Sequence, residues 1–176
     1  MRYQPEGRMD PWMIALRIVH LLSGAFWVGG ALFLEFIVMR NLRRMAPTIR
    51  GPVLGALAPD ITRSLSVAAG LVLVTGVVIA LRVKWDILDT FFQRGWGYAI
   101  LTGFLAALVA TGTGFGIAAR KIKQLVTLGG SIQGRPPSPA EGAQLGALQA
   151  QATLATSITT ALIVVTLGAM AAARWL

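Results

Sequence analysis

Charged side chains are missing from four long stretches of this 176-residue chain, and no other feature limits its fold so strongly. Between Arg17 and Glu35 lie 17 uncharged residues, between Arg63 and Arg82 18, between Arg94 and Arg120 25, and between Glu141 and Arg174 32. Each gap is filled with apolar and small residues. A helix rising about 1.5 Å per residue needs about 20 of them to cross the hydrocarbon layer of a membrane. The pattern predicts an all-α integral membrane protein: one domain, an antiparallel bundle of four transmembrane helices, with spans near residues 12–39, 62–82, 96–119 and 147–174.

Composition points the same way. Charged residues make up 13% of the chain, against roughly 25% in an ordinary globular protein. The absence of cysteine removes thiol chemistry, iron–sulfur clusters and thiolate zinc sites, and a single histidine, His20, rules out a His-rich metal centre built from one chain. No nucleophile or acid–base constellation argues for enzyme activity. The net charge of +9 would suit a nucleic-acid partner, but the basic residues flank the four gaps. They report topology, and the lipid bilayer is the expected partner, with no nucleic acid.

Helix punctuation supports the spans. Asp10-Pro11 opens the first helix with an acid at the N-cap and proline at the first helical position. Ser138-Pro139-Ala140-Glu141 opens the fourth in capping-box spacing, so that helix should run from about Pro139 to Arg174 with its first two turns clear of the bilayer. Leu125 to Gly134 is expected to be a loop-like linker. The basic stretch from Arg40 to Arg63, broken by Pro47, Pro52 and Pro59, and a shorter one from Arg82 to Arg94 supply the other connections.

Arg40, Arg43, Arg44, Arg50 and Arg63 in the first connection and its flanks, with Arg120, Lys121, Lys123 and Arg135 in the third, outnumber the cations on the other side. The positive-inside rule then sets both termini outside a cell inner (plasma) membrane. Arg2 and Arg8 before an apolar run resemble a signal peptide, but the run continues through Val38, too far for a short h-region, so it is expected to be retained. Trp85, Phe91, Phe92, Trp96 and Tyr98 are expected to form an outer aromatic belt, with Trp85 to Phe92 flat in the interface. Small residues, among them Ala69-Gly70, Ala106-Ala107 and Ala150, give the spans faces for close packing.

Ionisable groups in an expensive position occur only in the first span. At 3.6 residues per turn Arg17, His20, Gly24, Trp27 and Ala31 share one stripe, with His20 in the outer part of the membrane. An intramembrane ionisable residue is a functional hypothesis by default. A b-type haem needs an imidazole, a small residue under the ring and cations for its propionates, which His20, Gly24 and Arg17 offer in the right order of depth. Met170 at comparable depth could supply a thioether as second axial ligand, or a two-fold homodimer could offer His20 twice. Copper(I) held by His20 and Met170 is the alternative. The bland account makes His20 a neutral hydrogen-bonded histidine and lets Arg17 snorkel to head groups; a proton-handling role for His20 is the third reading. Glu35 is expected to pair with an Arg or Lys at the inner boundary or to snorkel. Met39 and Met45 are expected to be fillers or interface residues.

The segment Leu16 to Phe33, with its early histidine and Trp27-Val28-Gly29-Gly30, resembles the first helix of CopD-like copper-resistance membrane proteins. It is also similar to the membrane part of membrane-bound urate oxidases, and Leu73 to Val77 is similar to their next helix. The resemblance implies copper handling or haem-based electron transfer, with His20 at the position of the family's first-helix histidine. The chain has no further histidine and no extra spans, so a complete copper path or two-haem chain does not fit. The expectation is a haem b or copper protein acting in electron transfer or as accessory subunit of a larger membrane redox complex. The competing expectations are a cofactor-free structural subunit and a copper transport component.

Overall fold

The computed structural model describes residues 10–45, 47–84, 95–132 and 134–176. Among them every regular element is helical, and four helices are long and apolar enough to cross a membrane. We label them α1 (Pro11–Arg44), α2 (Pro47–Lys84), α3 (Gly95–Ser131) and α4 (Pro139–Ala172). The aromatic segment from Trp85 to Phe92 lies outside the described residues, as do Arg2 and Arg8.

Both anticipated starts are capped. The Asp10 carboxylate accepts from the Trp12 N–H at 3.1 Å. Ser138 and Glu141 form a reciprocal capping box at the start of α4, and Arg135 closes on both carboxylate oxygens of Glu141 at 2.8 and 2.6 Å. The Arg135 bonds, reinforced by the Ser138 N–H and hydroxyl, pull the Glu141 carboxyl down from 4.5 to about 2. A depressed carboxyl contributes stability that is complete above its unfolded pKa and lost as pH falls through its folded one. The loop-to-α4 junction should therefore hold to about pH 2. A 13C titration should give Glu141 a midpoint of about 2, and Arg135→Gln should raise it toward the ordinary carboxylate range. A wild-type midpoint near 4.3 would contradict the pairing.

Two expected connections are helical instead. Of the basic stretch from Arg40 to Arg63, Arg40–Arg44 ends α1 and the part from Pro47 begins α2, which carries Pro52 and Pro59 inside it. Proline clashes with the residue before it and with the carbonyl four back. Here the preceding residues are Gly51 and Ala58, and the carbonyl four before Pro59 belongs to Gly55, so small residues stand where crowding would be worst. The expected linker from Leu125 is helical as far as Ser131, through Gly129 and Gly130. Each glycine costs about 1 kcal/mol against alanine; packing of this part of α3 on α2 and α4 offsets it, as tertiary contacts commonly do.

α1 packs chiefly on α2, and α3 on α4. A methyl group built on Gly30 would stand 2.9 Å from Leu65, and one on Gly103 2.9 Å from the Met170 methyl. The core centres on Trp27, which is 2% exposed among Ala68, Ala69, Ala107, Ala110 and Ile163. Alanine is what these helices must present if an indole is to fit between them, because small residues let the backbones close around it. Hydroxyls are turned to packing as well. Thr111, Thr113 and Thr159 bond carbonyls of their own helices, and Thr113 meets Thr159 across α3 and α4 at 2.9 Å.

Two π-helical segments interrupt the long helices, Leu34–Met39 in α1 and Gly112–Ala118 in α3. The first explains an ion pair that simple periodicity misses: Arg43 Nη2 lies 3.1 Å from Glu35 Oε1. In an unbroken α-helix a spacing of eight residues leaves the side chains about 80° apart. A π-bulge takes up one extra residue, which removes about 100° and brings Arg43 to within about 20° of Glu35. Glu35 thus has the basic partner expected of it.

Candidate functional site

Of the stripe of Arg17, His20, Gly24, Trp27 and Ala31, the last four form the face α1 turns to the rest of the protein. Trp27 fills the core with Ala31 beside it. Gly24 lies against α2, where an added methyl would stand 3.8 Å from Val72. Arg17 is on the exposed surface one turn before His20.

His20 is where this face meets α2 through polar atoms. Its Nδ1 lies 3.1 Å from the Val72 carbonyl oxygen and 3.0 Å from Thr75 Oγ1. A carbonyl can only accept, so Nδ1 carries the proton. The Thr75 hydroxyl sends its own proton to the Leu71 carbonyl at 2.5 Å, leaving a lone pair for the same Nδ1–H. The tautomer follows: Nε2 is the unprotonated nitrogen, and it has no hydrogen-bond partner among the described residues. Fixing one ring nitrogen on a backbone carbonyl is how proteins orient an imidazole whose other nitrogen binds a metal.

Gly76 makes the approach possible. A methyl group built there would stand 3.0 Å from His20 Cε1, so α2 presents a bare backbone to the ring. The Thr75-Gly76 pair that the sequence offers as part of a small packing face is therefore the cradle of the histidine. Sequence reasoning did not connect them, because nothing in either segment states which residues of α2 lie at the depth of His20.

Met170 packs its methyl toward Gly103 of α3, whereas His20 bonds to α2. Gly24 faces Val72 of α2 and is half-buried. Among the described residues no group of three or more His, Asp or Glu side chains gathers to hold a metal. One chain presents one imidazole. The outer side of this region is apolar and open: Leu21 and Leu22 on α1 are 68% and 67% exposed, and Val74 on α2 is 63% exposed.

The other end of the molecule holds a cavity of about 740 Å³ between α1, α2 and α3, with Arg63, Arg120 and Lys123 among its lining residues. No residue of the Pro11–Phe33 segment lines it. Charge spacing does not show it, since its walls combine the inner ends of expected spans, such as Leu34, Val38 and Phe115, with stretches expected to be connections, such as Leu54 to Ile61 and Ile122 to Thr127.

Comparison with protein-family models, with curated proteins and with solved structures gave no match to this chain.

Proposed function

We propose that this is a multi-pass membrane protein, an antiparallel four-helix bundle, that presents His20 Nε2 as a single imidazole ligand to a haem b or copper centre. The remaining ligands come from a second copy or from a larger membrane redox assembly. Its role is electron transfer within that assembly or as its accessory subunit. The observation that carries the reading is the Nδ1–H bond to the Val72 carbonyl, which leaves Nε2 with its lone pair. The bound centre would supply one-electron chemistry; the chain's own residues hold the imidazole, fix its tautomer and cover its inner flank with Val72 and Gly76.

The membrane reading is supported by the four long apolar helices and by helix registers that run in opposite senses. His20 meets Val72 while Gly30 meets Leu65, so α2 numbering falls as α1 numbering rises. Trp12, Tyr98 and Trp175 are exposed at helix ends, in keeping with an interfacial belt, although Trp96, expected in that belt, is buried. The basic residues around Arg40–Arg50 and Arg120–Lys123 favour the inner side for that end, with both termini outside.

The same bonds also favour a second reading, in which His20 only clamps α1 to α2 in a cofactor-free structural subunit. Haem extraction and metal analysis of tag-free protein, purified from cells supplied with haem and copper, separate the two. Bound haem b or copper in stoichiometric amount is expected; a protein carrying neither belongs to the second reading. A copper transport path has less support, since Thr111, Thr113 and Thr159 are engaged with carbonyls of their own helices.

A further inference from the structure

We propose that the cavity at the basic end is a specific site for one anionic phospholipid, with an acyl chain in the cavity and the phosphate held by Arg63, Arg120 and Lys123. The volume of about 740 Å³ falls within the range of small-molecule sites, roughly 300–1,000 Å³. The walls are aliphatic and aromatic: Leu34 and Val38 from α1, Leu54 and Ile61 from α2, Phe115 and Val126 from α3. Such a surface selects an alkyl chain, because apolar area taken from water is worth about 25 cal/mol per Å².

Charge selects the head group. Arg63, Arg120 and Lys123 line the cavity with exposed side chains, and no ion pair among the described residues engages them. The two pairs there are Glu35 with Arg43 and Glu141 with Arg135. Asp60, one turn before Arg63, is exposed and does not line the cavity. Three cations beside an apolar hollow complement an anionic amphiphile, and guanidinium groups are suited to phosphate by their forked donors. Basic pockets between transmembrane helices at the inner surface take anionic lipid head groups in just this manner, and the inner leaflet provides such lipids next to the opening. The two π-helical segments contribute to the walls, through Leu34 and Val38 in one and Phe115 in the other.

The proposal rests on the membrane reading and is independent of any metal at His20. Native mass spectrometry of the full chain in neutral detergent tests it, with phosphatidylglycerol and phosphatidylcholine of identical acyl chains as probes. The expected result is one phosphatidylglycerol retained over phosphatidylcholine by about tenfold to a hundredfold. The triple variant Arg63→Gln, Arg120→Gln, Lys123→Gln should lose that preference, and Arg40→Gln with Arg44→Gln, basic positions outside the cavity lining, should keep it. Ala58→Trp, which fills the hollow and leaves all three cations, should lower retention of both lipids and serves if the triple variant does not fold. Equal retention of the two lipids, a preference unmoved by the triple variant, retention undiminished by Ala58→Trp, or displacement by millimolar inorganic phosphate would overturn it. Alkaline extraction of membranes from the same cells keeps the two failures apart. Protein that stays in the membrane pellet but shows no lipid preference refutes the lipid site alone, and protein released into the wash refutes the membrane reading.

Discussion

His20→Ala is expected to abolish haem or copper binding altogether, because the chain has no other histidine or cysteine to take its place. Reduced-minus-oxidised absorbance and metal content, compared with wild type, measure the loss. Thr75→Val should act more gently. It removes the hydroxyl 3.0 Å from Nδ1 but leaves the Val72 carbonyl at 3.1 Å, so the tautomer survives with one acceptor. Losing an outer partner of a ligating histidine typically costs 10–100-fold in metal affinity, and a loss of about that size is expected for Thr75→Val. If His20 served only as a clamp, neither variant would change the cofactor content of the preparation.

Trp27→Ala is expected to cost about 3–5 kcal/mol, the usual range for emptying an aromatic core position. The indole is 2% exposed, and four of the five buried residues clustered with it are alanines, which have no longer side chains to fold into the space. Helices held about an indole cannot close on a methyl without moving as units. Unfolding of purified protein in mixed micelles by a denaturing detergent measures the change. Leu21→Ala on the exposed side of the same helix, where the side chain is 68% exposed, should change stability by no more than about 0.5 kcal/mol. Similar losses for the two would mean that α1 is not anchored through Trp27.

The charge gaps were enough to count the helices and to locate their apolar middles, because burying a charge in lipid is costly and the sequence records where that cost is avoided. They could not set the lengths. α2 and α3 continue beyond the gaps through Pro52, Pro59 and Gly129-Gly130, where local propensity opposes a helix and contacts with neighbours decide. Periodicity put His20, Gly24, Trp27 and Ala31 on the inward face of α1, with Arg17 exposed, but not their surroundings, which depend on the depth at which α2 passes. Gly24 was suited to a haem face as much as to a helix neighbour, and it faces Val72 of α2. The pairing of Glu35 was legible in kind, since a lone carboxylate near a basic boundary needs a cation. Its partner was not, because the π-bulge that brings Arg43 into phase has no plain signature in Leu34–Met39. The basic cavity was hidden for a similar reason: about half of its lining, from Leu54 to Ile61 and from Arg120 to Thr127, looks like connections until the helices are seen to run through them.

Since the chain has one histidine, growth on 15N-histidine marks a single imidazole, and electron–nuclear double resonance on the oxidised, tag-free protein reads whether that imidazole binds the metal. A paramagnetic haem or copper centre with strong coupling to labelled nitrogen, absent from His20→Ala, is expected. A centre with no coupling to the label, or a wild-type protein with neither haem nor copper, would contradict it.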